Sequence, residues 1–220
     1  MAWRLRFVEV FLHIDRHLGG LIQQLGAGSY LLLFLVIFAE TGLVVTPILP
    51  GDSLLFAVGA FAAQGSLELW LVLFVLTTAA VVGDSVNYLI GRRFGDWMIK
   101  RMKGRFIKRE YLEKTERFYE TYGAKTIVLA RFVPIVRTFA PFVAGVGKMN
   151  YRTFFFYNMF GGVAWVSLFV LGGYLFGNIP VIQHNFSLVI FAIIGVSLLP
   201  AVVEYARAKW GKKRLAEQAE

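Results

Sequence analysis

Four ionisable side chains lie inside apolar stretches of this chain: Glu40, Asp52, Arg131 and Arg137. An ionised group at the centre of a membrane costs at least a few kcal/mol of free energy unless it is paired or hydrated. The apolar segments of the first half contain acids but no Lys or Arg, whereas residues 126–203 contain bases but no acid. Because neither half can neutralise its own charges, we expect the two halves to meet with acids facing arginines.

Arg131 and Arg137 suit an anionic ligand. Arginine presents a planar fork of N–H donors that matches the oxygens of a phosphate group. Prolines interrupt the apolar pattern beside both sets of charges, so short helices are expected to begin or end there. Such helix ends add partial charge and free backbone donors. We therefore predict that the arginines bind a phosphate group in a cavity lined in part by Pro50, Gly51 and Pro134.

The carboxylates of Glu40 and Asp52 are expected to balance the arginines when the site is empty. They are also the candidates for carrying a coupling proton, because desolvation favours the neutral form of a carboxylate. The alternative is a set of ion pairs that lock two segments together without any ligand. Asp84 and Asn87, about one helical turn apart, either line the same cavity or hydrogen-bond to Arg92 and nearby carbonyl groups.

The composition places these charges in a membrane protein. Of the 220 residues, 57% are hydrophobic and 17% are charged, and the mean hydropathy is +0.62, whereas a soluble domain carries about 25% charged residues. The absence of cysteine excludes disulfides, Cys-ligated zinc, iron–sulfur clusters and cysteine nucleophiles. The net charge of +9 comes from bases that cluster beside apolar stretches. That pattern is typical of the cytoplasmic loops of membrane proteins, and we expect no nucleic-acid binding.

The apolar stretch over 29–65 is too long for one transmembrane helix. It would reach about 55 Å, against a hydrocarbon core of about 30 Å. Pro47, Pro50 and Gly51 interrupt it, which favours a hairpin that enters and leaves the membrane on the same side. The whole chain is predicted to comprise, in order, an amphipathic surface helix (1–26), a re-entrant hairpin (29–65), a transmembrane span (67–91), a basic cytoplasmic segment (92–123), a second re-entrant hairpin (124–147), two spans (151–177 and 183–206) and a basic cytoplasmic tail (207–220).

The second hairpin follows from the parity of the crossings. If the segment 92–123 and the tail are both cytoplasmic, the chain between them crosses the membrane an even number of times. The two later spans already supply two crossings, so the segment 124–147 must return to the side from which it enters. The first hairpin then opens to the opposite side, which makes an inverted repeat. A short repeated sequence pattern, GRRFG at 91–95 and GYLFG at 173–177, accompanies this symmetry.

The catalytic residues that several classes of membrane enzyme require are missing from this sequence. A phosphatase with a phosphohistidine would need histidines beside the arginines, and no Gly-rich phosphate loop with its Lys is present. A serine protease would need a Ser/His or Ser/Lys pair within the bilayer, but His184 lies in a loop beside Pro180. His13 and His17 have the spacing of a metal pair without an evident third ligand. We therefore expect no enzyme activity, no metal and no cofactor.

Four separated motifs resemble the bacterial DedA family over almost the whole chain: FAETG (38–42), PGDSLL (50–55), GDSVNYLIGR (83–92) and ARFVPIVRTFAP (130–141). This resemblance, which extends to the eukaryotic VTT-domain lipid scramblases, implies two opposed re-entrant hairpins. It also implies a role in membrane homeostasis, in the proton-motive force and in translocation of lipids such as undecaprenyl phosphate. The acids and arginines that matter in the family match Glu40, Asp52, Arg131 and Arg137.

These observations predict an all-α protein of the bacterial inner membrane that moves a phosphate-bearing lipid, a polyprenyl phosphate or a phospholipid, between leaflets. Its partners would be membrane lipids with anionic headgroups, and its translocation is a candidate for proton coupling. Two alternatives stay open: a proton-coupled transporter of a small soluble solute that uses the same four residues, and a non-transporting scaffold with purely structural charges. A homodimer is compatible with the sequence, which carries no sign of one.

Overall fold

The structure is a computed structural model that describes residues 24–43, 51–101, 109–177 and 179. Several predicted features therefore lie outside the described residues: the amphipathic helix over 1–26 except for its last three residues, the hairpin tip with Pro50, the span over 183–206 and the tail over 207–220.

Every regular element among the described residues is helical, in agreement with the predicted all-α class. The helices, numbered here in chain order, are α1 (Gly28–Gly42), α2 (Gly51–Ala63), α3 (Leu69–Arg101), α4 (Arg109–Tyr122), a 3₁₀ turn (Gly123–Lys125), α5 (Thr126–Ala130), α6 (Pro134–Val146) and α7 (Tyr151–Gly177).

Two of these helices are long and apolar enough to cross a membrane, namely α7 and the Leu69–Gly95 part of α3, with 27 residues each. The helix α3 continues past residue 91, where the span was predicted to end. Large apolar side chains on both helices point outward, among them Trp70, Phe74 and Phe156. Such exposed apolar surface fits contact with lipid better than contact with water.

The breaks between the shorter helices decide where the charged residues lie. The helix α6 begins at Pro134, whose missing N–H would have had no intrahelical partner at that position. Val133 before it is extended, with φ −119° and ψ 103°, as expected for a residue that precedes proline. As a result, Arg131 falls in the link between α5 and α6. Arg137 donates the hydrogen bond that closes the first turn of α6, with N···O 2.8 Å to Val133.

The helices α2 and α7 pack together through glycines. A Cβ atom at Gly173 would overlap the carbonyl oxygen of Phe56, and one at Gly59 would overlap the carbonyl oxygen of Val170. Backbones in contact bring many atoms within van der Waals range, which is how small residues hold helices together in membranes.

The helices α3 and α6 repeat this arrangement in the same register. A Cβ atom at Gly91 would overlap the carbonyl oxygen of Phe142, and one at Gly145 would overlap the carbonyl oxygen of Tyr88. The repeated pattern at 91–95 and 173–177 therefore lies in two equivalent helix pairs, α3 with α6 and α7 with α2. In each pair a short helix of one half packs on the long helix of the other half.

An apolar core joins the first three helices to α7. Its members are fully or almost fully buried: Leu33, Ile37, Leu55, Val58, Leu67, Val72, Leu76, Trp165, Val166 and Val170, with several alanines. This core anchors one wall of the site described below, because Trp165 belongs to both.

Gly173→Ala is expected to destabilise the protein, because its methyl group has no space beside the Phe56 carbonyl. Forcing an extra carbon into a packed interface costs about 1–3 kcal/mol. Gly172→Ala is the matched control, since its methyl group would meet only the Phe56 ring at an ordinary 3.9 Å. Thermal unfolding in detergent measures the difference. Equal melting temperatures for the two variants would contradict the close packing of α2 on α7.

Candidate functional site

Arg137 connects two acids from the other half of the chain. Its Nη2 donates to Glu40 Oε1 at 2.8 Å, and its Nη1 donates to Asp52 Oδ1 at 2.9 Å. The side chains keep small exposed fractions, 13% for Arg137, 9% for Glu40 and 17% for Asp52. The meeting of acids and arginines expected from the segregation of charge is observed here. One guanidinium thus serves two carboxylates in a largely but not wholly closed position.

Helix ends set the positions of the two acids. Glu40 lies in the last turn of α1 and Asp52 in the first turn of α2. An acid is stabilised at a helix N-terminus and destabilised at a C-terminus, so Glu40 needs a cationic partner more than Asp52 does. The Glu40 carboxylate lies against the α-carbon of Gly51, where any side chain would overlap it. Its Oε2 is buried and has no hydrogen-bond partner of normal geometry among the described residues. Gly51 is therefore required by the close approach of this carboxylate.

Arg131 forms a second and more closed site. Its Nη2 donates to Asp84 Oδ2 at 2.5 Å and to Asn158 Oδ1 at 2.6 Å. The exposed fractions of the Arg131 and Asp84 side chains are 3% and 8%. Asn158 is held in turn by donating its Nδ2 to the Val81 carbonyl at 3.0 Å. Gly161 of α7 makes room for this arginine, since a Cβ atom there would lie 3.2 Å from its Cδ and Nε.

Asn87 ties three helices together beside these two sites. Its Nδ2 donates to the carbonyl groups of Thr41 at 3.2 Å and Thr138 at 3.1 Å. These contacts join α1, α3 and α6 around a fully buried amide. The hydrogen bonds to carbonyl groups that were expected for Asn87 are observed, and its role in lining a cavity stays a prediction.

Trp165 lies between the two arginines. The Arg137 Cζ is 4.0 Å from the centroid of the indole ring, and the Arg131 Cζ is 5.8 Å from it. The indole Nε1 also donates to Asp52 Oδ1 at 2.9 Å. The ring is fully buried, so the tryptophan contributes both an aromatic face and a hydrogen-bond donor to the Arg137 site.

The structure divides the predicted site residues into two groups. Glu40, Asp52 and Arg137 come together, whereas Arg131 is balanced by Asp84 instead of by Glu40 or Asp52. The alternative partner proposed for Asp84, Arg92, donates to the Tyr88 hydroxyl at 3.1 Å instead. Pro50 lies outside the described residues. Pro134 contributes the start of α6.

Two residues of the site were missed in the sequence, Asn158 and Trp165. Both are neutral, and a search for charges in apolar segments passes over them. A signal was nevertheless present, because Asn158, Gly161 and Trp165 recur at the spacing of one helix face. A polar amide and an indole N–H in an apolar span both require partners when they are buried.

The combined cluster contains three carboxylates and two guanidinium groups. With all five groups ionised, the negative charges exceed the positive charges by one. A buried excess charge is costly, so the cluster favours the binding of a proton or the approach of another cation. A phosphate group can enter this site only if at least one carboxylate withdraws from its arginine or takes a proton.

A cavity of about 390 Å³ lies away from these ion pairs. It is bounded by α4 and by the end of α6, with Glu116, Tyr119, Val143 and Met149 in its wall. None of the five charged side chains of the cluster lines it. Among the described residues, the Arg137 site is therefore separate from this cavity.

Arg131→Met is expected to destabilise the protein strongly, because it leaves Asp84 buried without its cation. Breaking a buried ion pair on one side costs about 3–5 kcal/mol. The double variant Arg131→Met/Asp84→Asn should recover part of this loss. Arg152→Met, at an exposed position, is the matched control. Thermal unfolding in detergent measures all three, and an unchanged melting temperature for Arg131→Met would contradict a structural pair.

The region that contains these site residues matches a known protein domain family. Residues 49–175 match the VTT domain, and this region contains both arginines, Asp52, Asp84, Asn158 and Trp165. The chain is 51% identical over 212 residues to Protein DedA of Escherichia coli (strain K12), which covers 96% of this chain and 97% of that protein.

More distant relatives extend the match. An uncharacterized membrane protein of Mycobacterium tuberculosis (strain H37Rv) is 43% identical over 190 residues, 86% of this chain and 83% of the relative. The inner membrane protein YqjA of Escherichia coli (strain K12) is 33% identical over 152 residues, 69% of each chain. No solved structure matches the chain.

Proposed function

Because this chain belongs to the DedA family of VTT-domain membrane proteins, we propose that it translocates a phosphate-bearing lipid between the two leaflets of the bacterial inner membrane. The lipid is a polyprenyl phosphate or a phospholipid. The observation that carries the proposal is the geometry of Arg137, whose two Nη groups each hold a separate carboxylate while the side chain keeps a small exposed fraction. The inner membrane as location is supported by a relative named an inner membrane protein.

A phosphate group can replace both carboxylates on Arg137. Phosphate oxygens accept the same pair of N–H···O bonds that a guanidinium offers to carboxylates. Glu40 and Asp52 would then stand close together without their cation. Two carboxylates in one site do not both stay ionised, so one of them takes a proton. Lipid binding at Arg137 is in this way coupled to proton uptake, and Glu40 and Asp52 are the groups that take part.

In this proposal Arg131 has a supporting role. Its guanidinium is already neutralised by Asp84 and is almost fully enclosed. It keeps α3 and α7 attached to the link before α6 through its contacts with Asp84 and Asn158. Arg131 thus holds the helices around the site in place, and direct contact with the phosphate is assigned to Arg137.

We also propose that α1 with α2, and α5 with α6, form two re-entrant hairpins of opposite orientation. At about 1.5 Å per residue, the 15 residues of α1 and the 13 residues of α2 and of α6 reach about 20 Å each. That length falls short of the roughly 30 Å of a hydrocarbon core. The repeated glycine register of the α2–α7 and α3–α6 pairs supports an inverted repeat. The basic residues of the 92–123 segment support its cytoplasmic location.

A structural scaffold is the second candidate function, and one observation favours it. Both arginines are paired in this conformation, as they would be if the charges served only to hold helices together. The two candidates differ in whether the Arg137 pairs exchange for a ligand.

Headgroup translocation in proteoliposomes tests the lipid proposal. Purified protein would be reconstituted with labelled undecaprenyl phosphate or labelled phosphatidylethanolamine, with and without a pH gradient. We expect wild-type protein to accelerate translocation, and Arg137→Gln to lower the rate by about tenfold or more, since a charge-assisted contact contributes about 1.5–3 kcal/mol. The labelled lipid that moves faster identifies the substrate class.

Arg152→Gln removes an exposed arginine from the start of α7 and is the matched control, expected to keep the wild-type rate. Size-exclusion chromatography and thermal unfolding confirm that each variant is folded. If folded wild-type protein accelerates neither lipid, the lipid proposal fails, and uptake of a soluble anion would separate a solute transporter from a scaffold. If Arg137→Gln translocates as fast as wild type, the assignment of Arg137 fails.

A further inference from the structure

The cavity of about 390 Å³ between α4 and the end of α6 is a second candidate site. We infer that it binds an amphipathic ammonium ion, that is, a positively charged nitrogen on an apolar chain. The volume lies within the range of about 300–1,000 Å³ that small-molecule sites occupy. None of the charged side chains of the Arg137 and Arg131 ion pairs lines this cavity, so the site is independent of the proposed translocation.

One part of the cavity wall is apolar and is supported by a packed cluster. Val143, Ala144 and Val146 of α6 line it, together with Met149 of the link between α6 and α7. Ala144 is buried in an apolar cluster, against which Met149 and Tyr119 pack. An apolar chain that occupies this part of the cavity is removed from water, which favours binding.

Two carboxylates from α4 form another part of the wall. Glu116 and Glu120 lie four residues apart, so both side chains extend from the same face of the helix. Like charges at this spacing destabilise a helix, and neither glutamate forms an ion pair with another described residue. The described lining residues include no Lys, Arg or His. A cation in the cavity would therefore neutralise charge that the wall itself leaves uncompensated.

Two neutral features of the wall also favour a cation. The Tyr119 hydroxyl donates to the Ala140 carbonyl at 2.9 Å, which fixes the tyrosine ring in the wall, and aromatic rings attract ammonium groups. The helix α6 ends at Val146 beside the cavity, and a helix C-terminus carries partial negative charge. The carbonyl groups of that end already accept hydrogen bonds from the link that follows. Direct contact with the ammonium group is therefore assigned to Glu116 and Glu120.

The cavity and the Arg137 site select ligands of opposite charge. Carboxylates, an aromatic ring and a helix C-terminus all repel an anion, whereas the guanidinium of Arg137 attracts one. A positive nitrogen beside an apolar chain occurs both in the headgroup of an aminophospholipid and in a free amphipathic amine. Both sources share the chemistry that the cavity recognises.

Methyl NMR of Met149 measures binding inside the cavity. The full chain would be labelled with [13C-methyl]methionine in lipid nanodiscs, and the Met149 resonance assigned with Met149→Leu. Octylamine and octanol, which share a chain and differ in charge, would be titrated separately. We expect octylamine to shift the Met149 resonance to saturation. Glu116→Gln/Glu120→Gln should raise the half-saturating concentration of octylamine about fivefold, the factor that one exposed ion pair contributes, and leave that of octanol within about twofold.

Two controls separate the cavity from the bilayer and from general charge effects. Glu113→Gln removes an exposed glutamate of α4 that does not line the cavity, and it should leave the octylamine titration unchanged. The resonance of Met159, which is exposed on α7, reports amine that has only partitioned into the lipid. If octylamine shifts Met159 but not Met149, the inference is overturned. The same holds if the double variant binds octylamine as wild type does.

Lysophosphatidylethanolamine distinguishes the two sources of the ammonium group. A saturable shift of Met149 that depends on Glu116 and Glu120 would identify the headgroup of an aminophospholipid as a ligand. If octylamine gives this shift and the lysolipid does not, the cavity takes a free amine. Absence of lipid translocation by wild-type protein would refute the proposed function and leave the NMR result intact.

Discussion

Arg137 holds two carboxylates from the other half of the chain, and the arrangement of the helices follows from the need to keep that contact. Removing an ion from water costs several kcal/mol even after the protein relaxes. The apolar segments before Arg92 supply only acids and those after it only bases, so each half would be left with a buried charge that it cannot neutralise. Burial of these segments costs least when the helix ends that carry the acids meet the start of α6. The ion pairs between the two halves thus stabilise the fold, and the one at Arg137 is also the candidate site.

The glycines make this meeting geometrically feasible. At Gly51 the Glu40 carboxylate reaches the backbone of α2, and at Gly173 and Gly91 each long helix touches the carbonyl groups of a short helix. The two arginines then differ in how completely they are enclosed. Arg131 and Asp84 form a closed pair with a neutral amide as third partner, which is what a structural connection requires. Arg137 shares its donors between two acids and keeps some exposure, which is what an exchangeable site requires.

The sequence was sufficient for those features that depend on charge and length. The segregation of acids and bases predicted that the halves meet, and the apolar pattern predicted an all-α membrane protein. The sequence was not sufficient to predict which acid pairs with which arginine. The choice of Asp84 as the partner of Arg131 depends on how far α3 and α7 are rotated about their axes, and no local pattern fixes that rotation. Trp165 and Asn158 were missed because neutral residues in an apolar span resemble ordinary packing until their hydrogen-bond partners are known. The role of Pro50 stays a prediction.

Translocation as proposed requires that the Arg137 site binds a phosphate headgroup, and ligand-induced stabilisation measures that binding directly. A polyprenyl phosphate and the matching polyprenol would be added separately to the detergent-solubilised protein, and the melting temperature recorded for wild type and for Arg137→Gln. A ligand that binds only the folded state at about 100 times its Kd stabilises that state by about 2.7 kcal/mol. We predict that the phosphate, and not the alcohol, raises the melting temperature of wild type, and that Arg137→Gln loses the effect. Equal stabilisation by both lipids, or an undiminished effect in the variant, would contradict a phosphate site at Arg137.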